Sequence, residues 1–450
     1  MTEKVQTVQV PDFPNRHYVI TEFGALGDGI HSNTAAINKA IEVCAAAGGG
    51  TVVIPRGIWL TGPIQLKSRV RLHTEEGALV TFSRKWEEYP LILSNYEGLK
   101  AVRAMPALYG EQLHQVAITG KGIFDGSGDA WRPVRKYEMT EQVWNDIVES
   151  GGVVDDNDLW WPTEEAMIGR KRTEALQAEG NYEIAQYEPY QVYLRPVLLG
   201  LTACTEVLLD GPTFQNSGSW CLHPRLCEHV TIRNVKVRNP WYSVNGDGLD
   251  LESCRFANIH DCMFDVGDDA ICLKSGKNLQ GREAAAPTEY VSIRNCTVYH
   301  GHGGFTVGSE MSGDIRHVDV SDCTFIGTDN GLRFKSTRGR GGIVEHIQIA
   351  NIQMKDIIHS AIVFDMYYEI KQDEVDRVEV TDETPCFCHI SIKDTVSEGS
   401  SKGIFIRGLP EMPIHDLHFE RVTVAAETGI VCIDAQNILF QDVHITREIR

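Results

Sequence analysis

Two short segments place acids at a spacing that neither a helix turn nor a hairpin explains. "NGDGLD" (245–250) offers Asp247, and "VGDDAICLKSG" (266–276) offers Asp268 and Asp269 some twenty residues later. Were a fold to bring the three together, like-charge repulsion would raise the pKa of at least one. A carboxyl kept protonated in this way is a general acid, a second left ionised polarises water, and such a pair suits cleavage of a glycosidic bond. The bland alternative is that Asp and Asn cap backbone groups in turns, and for Asp250, Asp261 and Asp265 that reading is preferred. Two adjacent acids facing a third have no such structural use. His302 stands between glycines in "HGHGGF", open to a ligand. Arg333 and Lys335 in "GLRFKS" share one strand face and together can clamp a carboxylate, the Arg through two bonds and the Lys as a point charge.

The elements that must position these residues show as a repeat. The frame apolar, any, Asn or Asp, small or apolar, any, apolar recurs with anchors at Asp210, Asn234, Asp261, Asn295, Asp322, Asn351, Asp394, Arg421 and Asp442. Successive anchors lie 21 to 34 residues apart, except for an interval of 43 between Asn351 and Asp394 that needs an insertion. Each period holds short alternating runs broken by Gly, Asn or Asp, hence strands and turns. Coils without long helices must stack in parallel to satisfy their backbones, which predicts an all-β fold, a right-handed parallel β-helix. Equivalent residues then recur about 4.8 Å apart on one face, so Asp247 falls beside Asp268 and Asp269, with His302, Arg333 and Lys335 on later coils. The chain, 1–450, reads as a single domain. An N-terminal cap at about 15–50 contains an amphipathic helix with Ser32 or Asn33 as N-cap, Ile37, Ile41 and Cys44 inward, and Gly48 as stop. A helical, aromatic insertion at about 129–193 is the one sizeable segment that lacks the frame.

Composition narrows the classes. Hydrophobic residues make up 42% and charged residues 23%, an ordinary globular balance. The formal charge of −20 argues against nucleic acid as partner, and no apolar run long enough for a membrane span is present. No secretory signal is evident, so a cytoplasmic location is expected, or a secreted one if the N-terminus has been trimmed. Twelve cysteines read as reduced strand residues. "PCFCH" (385–389) suggests a metal site, yet with no second Cys or His cluster at ligand spacing, strand packing is preferred and no metal is expected.

"NGDGLD", "GDDAICLKSG", "GHGG" and "RFK", in that order, resemble the four signature segments of the polygalacturonases, glycoside hydrolase family 28. "FGALGDG" followed by "AIEVCAAAGGGTVVIPRG" is similar to the N-terminal cap of that superfamily. The resemblance implies an inverting hydrolase of pectic chains without cofactor or metal. Asp268 would be the general acid, Asp247 and Asp269 would hold and deprotonate the attacking water, His302 would tune the acid, and Arg333 and Lys335 would bind a galacturonate carboxylate. Asn245, Lys274, His223 and Tyr367 complete the candidate substrate-binding set. The first motif reads Asn-Gly-Asp where many members carry Asn-Thr-Asp. The insertion, absent from the minimal endo-acting pattern, points to exo cleavage. Competing expectations are a rhamnogalacturonan-directed hydrolase, a Ca²⁺-dependent pectate lyase of similar fold, and a non-enzymatic β-helical glycan-binding protein. Oligomeric state is not readable.

Overall fold

A computed structural model describes residues 8–368, 370 and 376–447. Thirty strands join in one sheet that winds into a solenoid, every coil pairing in parallel with the next. One coil shows the pattern: Leu249–Glu252, Arg255–His260 and Met263–Asp265 stack on Asp269–Lys274, Thr288–Arg294 and Thr297–Val298. Because side chains alternate along each strand, one set enters the core and the other faces out. Inward columns run unbroken through the stack. Leu222, Leu249, Ile271, Phe305, Leu332, Ile362 and Ile404 lie in register and are fully buried. Phe334 stacks on Phe364 with ring centroids 4.3 Å apart in the neighbouring column. Each such side chain contributes about 1.5–3 kcal/mol through burial.

The anchors of the sequence frame turn out to be the coil corners. Asn234, Asp261, Asn295, Asp322, Asn351, Asp394, Arg421 and Asp442 all have left-handed φ, between 49° and 57°; at the first anchor the positive φ passes from Asp210 to Gly211. Asn and Asp tolerate that conformation because their short polar side chains bond locally. Here they also bond one another between coils: Asn234 donates to Asp210 (2.9 Å), Asn295 to Asp261 and Asn351 to Asp322 (2.6 Å). Asp261 is therefore the corner residue expected. The insertion expected between Asn351 and Asp394 occupies 366–385, of which 369 and 371–375 lie outside the described residues.

At the N-terminal end the helix Thr34–Ala46 lays Ile37, Ala40, Ile41 and Cys44 on the core and covers the first coils. Asn33 occupies the N-cap position but does not cap. Its side chain accepts from Leu26 N (2.7 Å) and donates to the Leu26, His31 and Leu60 carbonyls, tying the preceding loop down instead.

Besides the segment 366–385, three excursions among the described residues leave the solenoid, so the insertion is not the single sizeable one. Leu91–Tyr96 and Leu99–Ala104 form an antiparallel hairpin. Between Ile123–Asp125 and Leu199–Thr202 the insertion holds helices Glu141–Glu149 and Glu164–Ala178 and also an antiparallel sheet of Val134–Arg135, Leu159–Trp161 and Val153–Val154. A short helix, Asn278–Ala284, follows the second acidic motif. The hairpin escaped notice because its alternating pattern matches a coil strand, and periodicity does not say whether a strand stacks on a coil or folds back on itself.

If the left-handed corner is what Asn351 supplies, Asn351→Val should lower stability by about 1–2 kcal/mol, whereas Asn351→Gly should retain most of it. Equilibrium unfolding in urea of the two variants checks this, and equal losses would refute it.

Candidate active site

The site face is built from the strands Leu222–Arg225, Leu249–Glu252, Asp269–Lys274, Gly303–Val307 and Asn330–Lys335, laid in parallel in that order. Asp247 precedes the second of these, Asp268 immediately precedes the third and Asp269 begins it, His302 precedes the fourth, and Arg333 and Lys335 lie on the last. One carboxylate oxygen from each of Asp247, Asp268 and Asp269 lies within 4.8 Å of the others. The structure thus gathers the three acids expected to meet.

Asp269 is the most heavily held. It is 1% exposed; Lys335 Nζ donates to Oδ2 (2.8 Å), while Arg333 Nη1 and Thr306 Oγ1 both donate to Oδ1 (3.0 Å each). Burial alone would raise its pKa, but Lys335, Arg333 and Lys274 outweigh burial and keep the carboxylate ionised. Lys335 and Arg333 reach Asp269 from two coils away because the coil between offers Gly303 in register with Asp269. A Cβ there would collide with Thr306 Oγ1 and lie 3.1 Å from Asp269 Oδ1.

Asp268 is the more open acid, its side chain 18% exposed. Its Oδ1 meets His302 Nδ1 at 2.9 Å and accepts from Asp269 N at 3.0 Å. Burial pushes its pKa up, and the charge and hydrogen bond of His302 overcome this, leaving it below the usual range. Burial likewise opposes protonation of His302, and Asp268 overcomes it, so the imidazole pKa is raised. The raised carboxyl expected on Asp268 is found on Asp247 instead. Burial first, then the charges of Asp268 and Asp250, hold Asp247 well above the carboxylate range, and its buried Oδ1 has no hydrogen-bond partner.

Asp250 is no turn cap. Fully buried within a strand, it is raised by burial despite Lys274 3.6 Å away. Lys274, expected to bind substrate, is buried between Asp250 and Glu310, donating to the latter at 2.9 Å. Arg333 and Lys335 are not a free clamp either: both are committed to Asp269, although Arg333 makes that bond through one nitrogen and its side chain is 18% exposed. Asn245 accepts from Arg195 Nη2 (2.8 Å) and has a φ of 55°, which makes it the residue that shapes the motif's turn. His223 is buried, bonded to Glu252 at 2.7 Å and edge-on to Trp220. Tyr367 is not brought to the acids: it is 5% exposed, packed in the core with Arg407 over its ring. Its neighbour Tyr368 lies beside Lys335 (4.7 Å) and Arg333 (5.7 Å).

A cleft of roughly 1300 Å³ opens next to His302, walled by Asp329, by Trp241, and by Arg132, Tyr137 and Glu138 of the insertion. Trp241 is 57% exposed and presents a flat apolar surface of the kind that suits a sugar ring. Its place in "NPWYSVNGDG", just ahead of the acidic motif, was the signal that could have found it. Arg135 of the insertion acts electrostatically on Asp268, and no periodic signal marks it. The hairpin packs against the loops that flank the site face. Tyr96 bonds Ser219 (2.6 Å), Arg103 Nη2 donates to Arg195 O (2.6 Å), and Lys277 N donates to Gly98 O (3.2 Å). The insertion packs on the hairpin through Tyr182 under Lys100 and Gln177 on Lys100 O.

A sequence profile for glycosyl hydrolases family 28 matches residues 189–439 of this chain, and one described as rhamnogalacturonase A/epimerase, pectate lyase-like, matches residues 18–78. The chain belongs to glycoside hydrolase family 28. Among relatives of this hydrolase, the exo-poly-alpha-D-galacturonosidase of Dickeya chrysanthemi is 26% identical over 419 residues, 90% of this chain and 66% of its own length. A hyperthermoactive exopolygalacturonase from Thermotoga maritima superposes with a TM-score of 0.79 at 28% identity, covering 98% of this chain and 92% of its own. The polygalacturonase of Erwinia carotovora shares the fold, with a TM-score of 0.63 at 21% identity over 98% and 99% of the two chains. The right-handed parallel β-helix is thereby shared with both solved structures.

Gly303→Ala should displace the Thr306 hydroxyl and crowd Asp269, reducing hydrolytic kcat/KM on the order of 10²-fold. Steady-state kinetics beside a melting curve check this. Unchanged kinetics would show that the open position is not needed.

Proposed function

We propose that this hydrolase cleaves α-galacturonosidic linkages of homogalacturonan from chain ends, with inversion. The observation that carries the reading is the grouping of Asp247, Asp268 and Asp269, with two cations behind and in front His302, which lines the adjoining cleft. In this reading Asp268, the more open carboxyl, touches the scissile oxygen. The His302–Asp268 pair shares one proton, which rests on the imidazole in the free enzyme and passes through Asp268 to the leaving oxygen. Water held by Asp247 and Asp269 attacks the anomeric carbon and gives its proton to the Asp247–Asp269 pair, whose one negative charge Asp269 supplies. The free edge of Arg333 is offered to a substrate carboxylate, and Trp241 to a sugar face.

Two features favour end-on attack. The insertion walls the cleft beside His302 through Arg132, Tyr137 and Glu138 and is buttressed by the hairpin, and a groove blocked on one side accepts a chain terminus better than a chain interior. The names of the Dickeya and Thermotoga relatives point the same way. A Ca²⁺-dependent lyase fits the donors poorly, since a calcium ion needs six to eight oxygens and the Asp269 oxygens are already spent on Lys335, Arg333 and Thr306. The expected separation for inversion, about 6.5–9.5 Å between acid and base carboxyls, is not met by the nearest oxygens, which fall within 4.8 Å. Inversion therefore rests on the product's anomeric form.

On polygalacturonate, reducing ends should rise while viscosity stays nearly constant, the first-formed sugar seen by proton NMR should be the β anomer, and Asp268→Asn should lose on the order of 10²–10⁴-fold. A steep early fall in viscosity would exclude the exo mode, and turnover confined to the alternating rhamnose-containing backbone would move the substrate to rhamnogalacturonan.

The shared proton also predicts a pH dependence. His302 is protonated below its folded pKa and loses its proton as pH rises through it; because that pKa is raised, the alkaline limb of kcat/KM should lie above the ordinary imidazole value of 6.5. His302→Gln should abolish this limb. A limb left in place by the substitution would assign it to another group.

A further inference from the structure

"PCFCH" lies far from the acids, on the outer face of the C-terminal coils. Cys386 and Cys388 are two residues apart on one strand and face outward together, while Phe387 between them is fully buried in the core. Strand packing, the reading preferred from sequence, thus describes Phe387 and also Cys388, which is 5% exposed, but not the half-buried Cys386. The second cluster that seemed missing comes from the neighbouring coil: Cys388 pairs in register with His415.

We propose that Cys386, Cys388 and His415 form a zinc site that ties the strand Cys386–Arg407 to the strand Ile414–Ile433. One ligand atom from each lies within 4.8 Å of the others. Cys386 Sγ and His415 Nε2 are 3.7 Å apart. Zn–S and Zn–N bonds of about 2.3 and 2.05 Å at a tetrahedral angle put S and N about 3.6 Å apart. His415 Nδ1 is bonded to Asp416 Oδ2 at 2.7 Å. That carboxylate fixes the tautomer that leaves Nε2 free to bind and turns it towards the thiols, as outer carboxylates do for metal-ligating histidines. Two thiolates and an imidazole suit zinc over calcium or magnesium. Glu345, one coil earlier, has a carboxylate oxygen within 4.8 Å of Cys388 Sγ and is placed to serve the fourth position in alternation with water.

The outward column of charges supports a purpose beyond packing. Arg255 bonds Glu289 and Glu289 bonds Arg316, each at 2.8 Å, so acids and bases alternate from coil to coil. Beyond Glu345 the next rungs are Cys388 and His415 in place of a cation and an acid. A disulfide between the two cysteines is disfavoured, because residues two apart on a strand are about 6.6 Å apart, at the limit of what a disulfide spans.

Chelator-treated, reduced full-length enzyme titrated with zinc against a chromophoric competitor should bind one ion per chain. Cobalt should give the near-ultraviolet thiolate band and the intense visible bands of a tetrahedral site. Cys388→Ser and His415→Ala should abolish binding, with Cys386→Ser, at a half-buried position, as the variant least able to disturb folding. Asp416→Asn should weaken affinity about 10- to 100-fold, and Asp268→Asn should leave it unchanged. Absence of stoichiometric binding, retention of binding in Cys386→Ser and His415→Ala, or a cobalt spectrum without the thiolate band would each overturn the proposal.

Discussion

The carboxylate of Asp269, buried and gripped by Lys335 and Arg333, is the interaction on which the site depends. A charge taken out of water costs several kcal/mol unless it is paired and hydrogen-bonded, and removing one partner of such a pair costs about 3–5 kcal/mol. Asp269 meets this condition with two cations and a hydroxyl. Once it is held ionised, its neighbours are constrained in turn. Asp247 beside it is driven towards its neutral form, first by its burial and then by the charges of Asp268 and Asp250 with Asp269 adding to them, and Asp268 finds its counter-charge in His302 on the open side. A cluster of acids that would repel one another as isolated groups becomes a graded set, with one neutral, one fixed as an anion and one coupled to an imidazole.

This grading is possible because the solenoid repeats its backbone while leaving each outward side chain free to differ. Corner residues with left-handed φ fix where each coil turns, the inward columns fix its register, and neither constrains what the site face displays. The deeper group formed by Asp250, Lys274 and Glu310 lies on the same face and supports the acids from behind. It is a second buried charge system adjoining the first, and Lys274 contributes to both.

The fold and the meeting of the acids were legible because both follow from periodicity. A frame anchored at Asn and Asp specifies coils, and coils specify that Asp247 and Asp269 share a column. What escaped was what periodicity does not encode. That Arg333 and Lys335 both hold Asp269 was not legible because a strand pattern shows which face a side chain shares and not which partner it reaches across an intervening glycine. Tyr368 was not singled out beside Tyr367 since a one-residue difference after a strand decides between the core and the cations Arg333 and Lys335. The hairpin at 91–104 imitates a coil strand, and His415 lies too far along the chain from Cys386 to be read as its neighbour without the register.

The skipped rung at Gly303 has a bearing on how such a molecule can grow. An acid on one coil and its cations two coils later form a unit whose span is measured in whole turns of the solenoid. Duplication or loss of a coil on either side of this stretch would lengthen or shorten the rod and leave the chemistry intact, whereas a change within it would part Asp269 from both cations at once. Modular architecture is therefore indivisible from about residue 245 to residue 335, and variation among descendants of this scaffold is channelled to its two ends and to the loops that leave it.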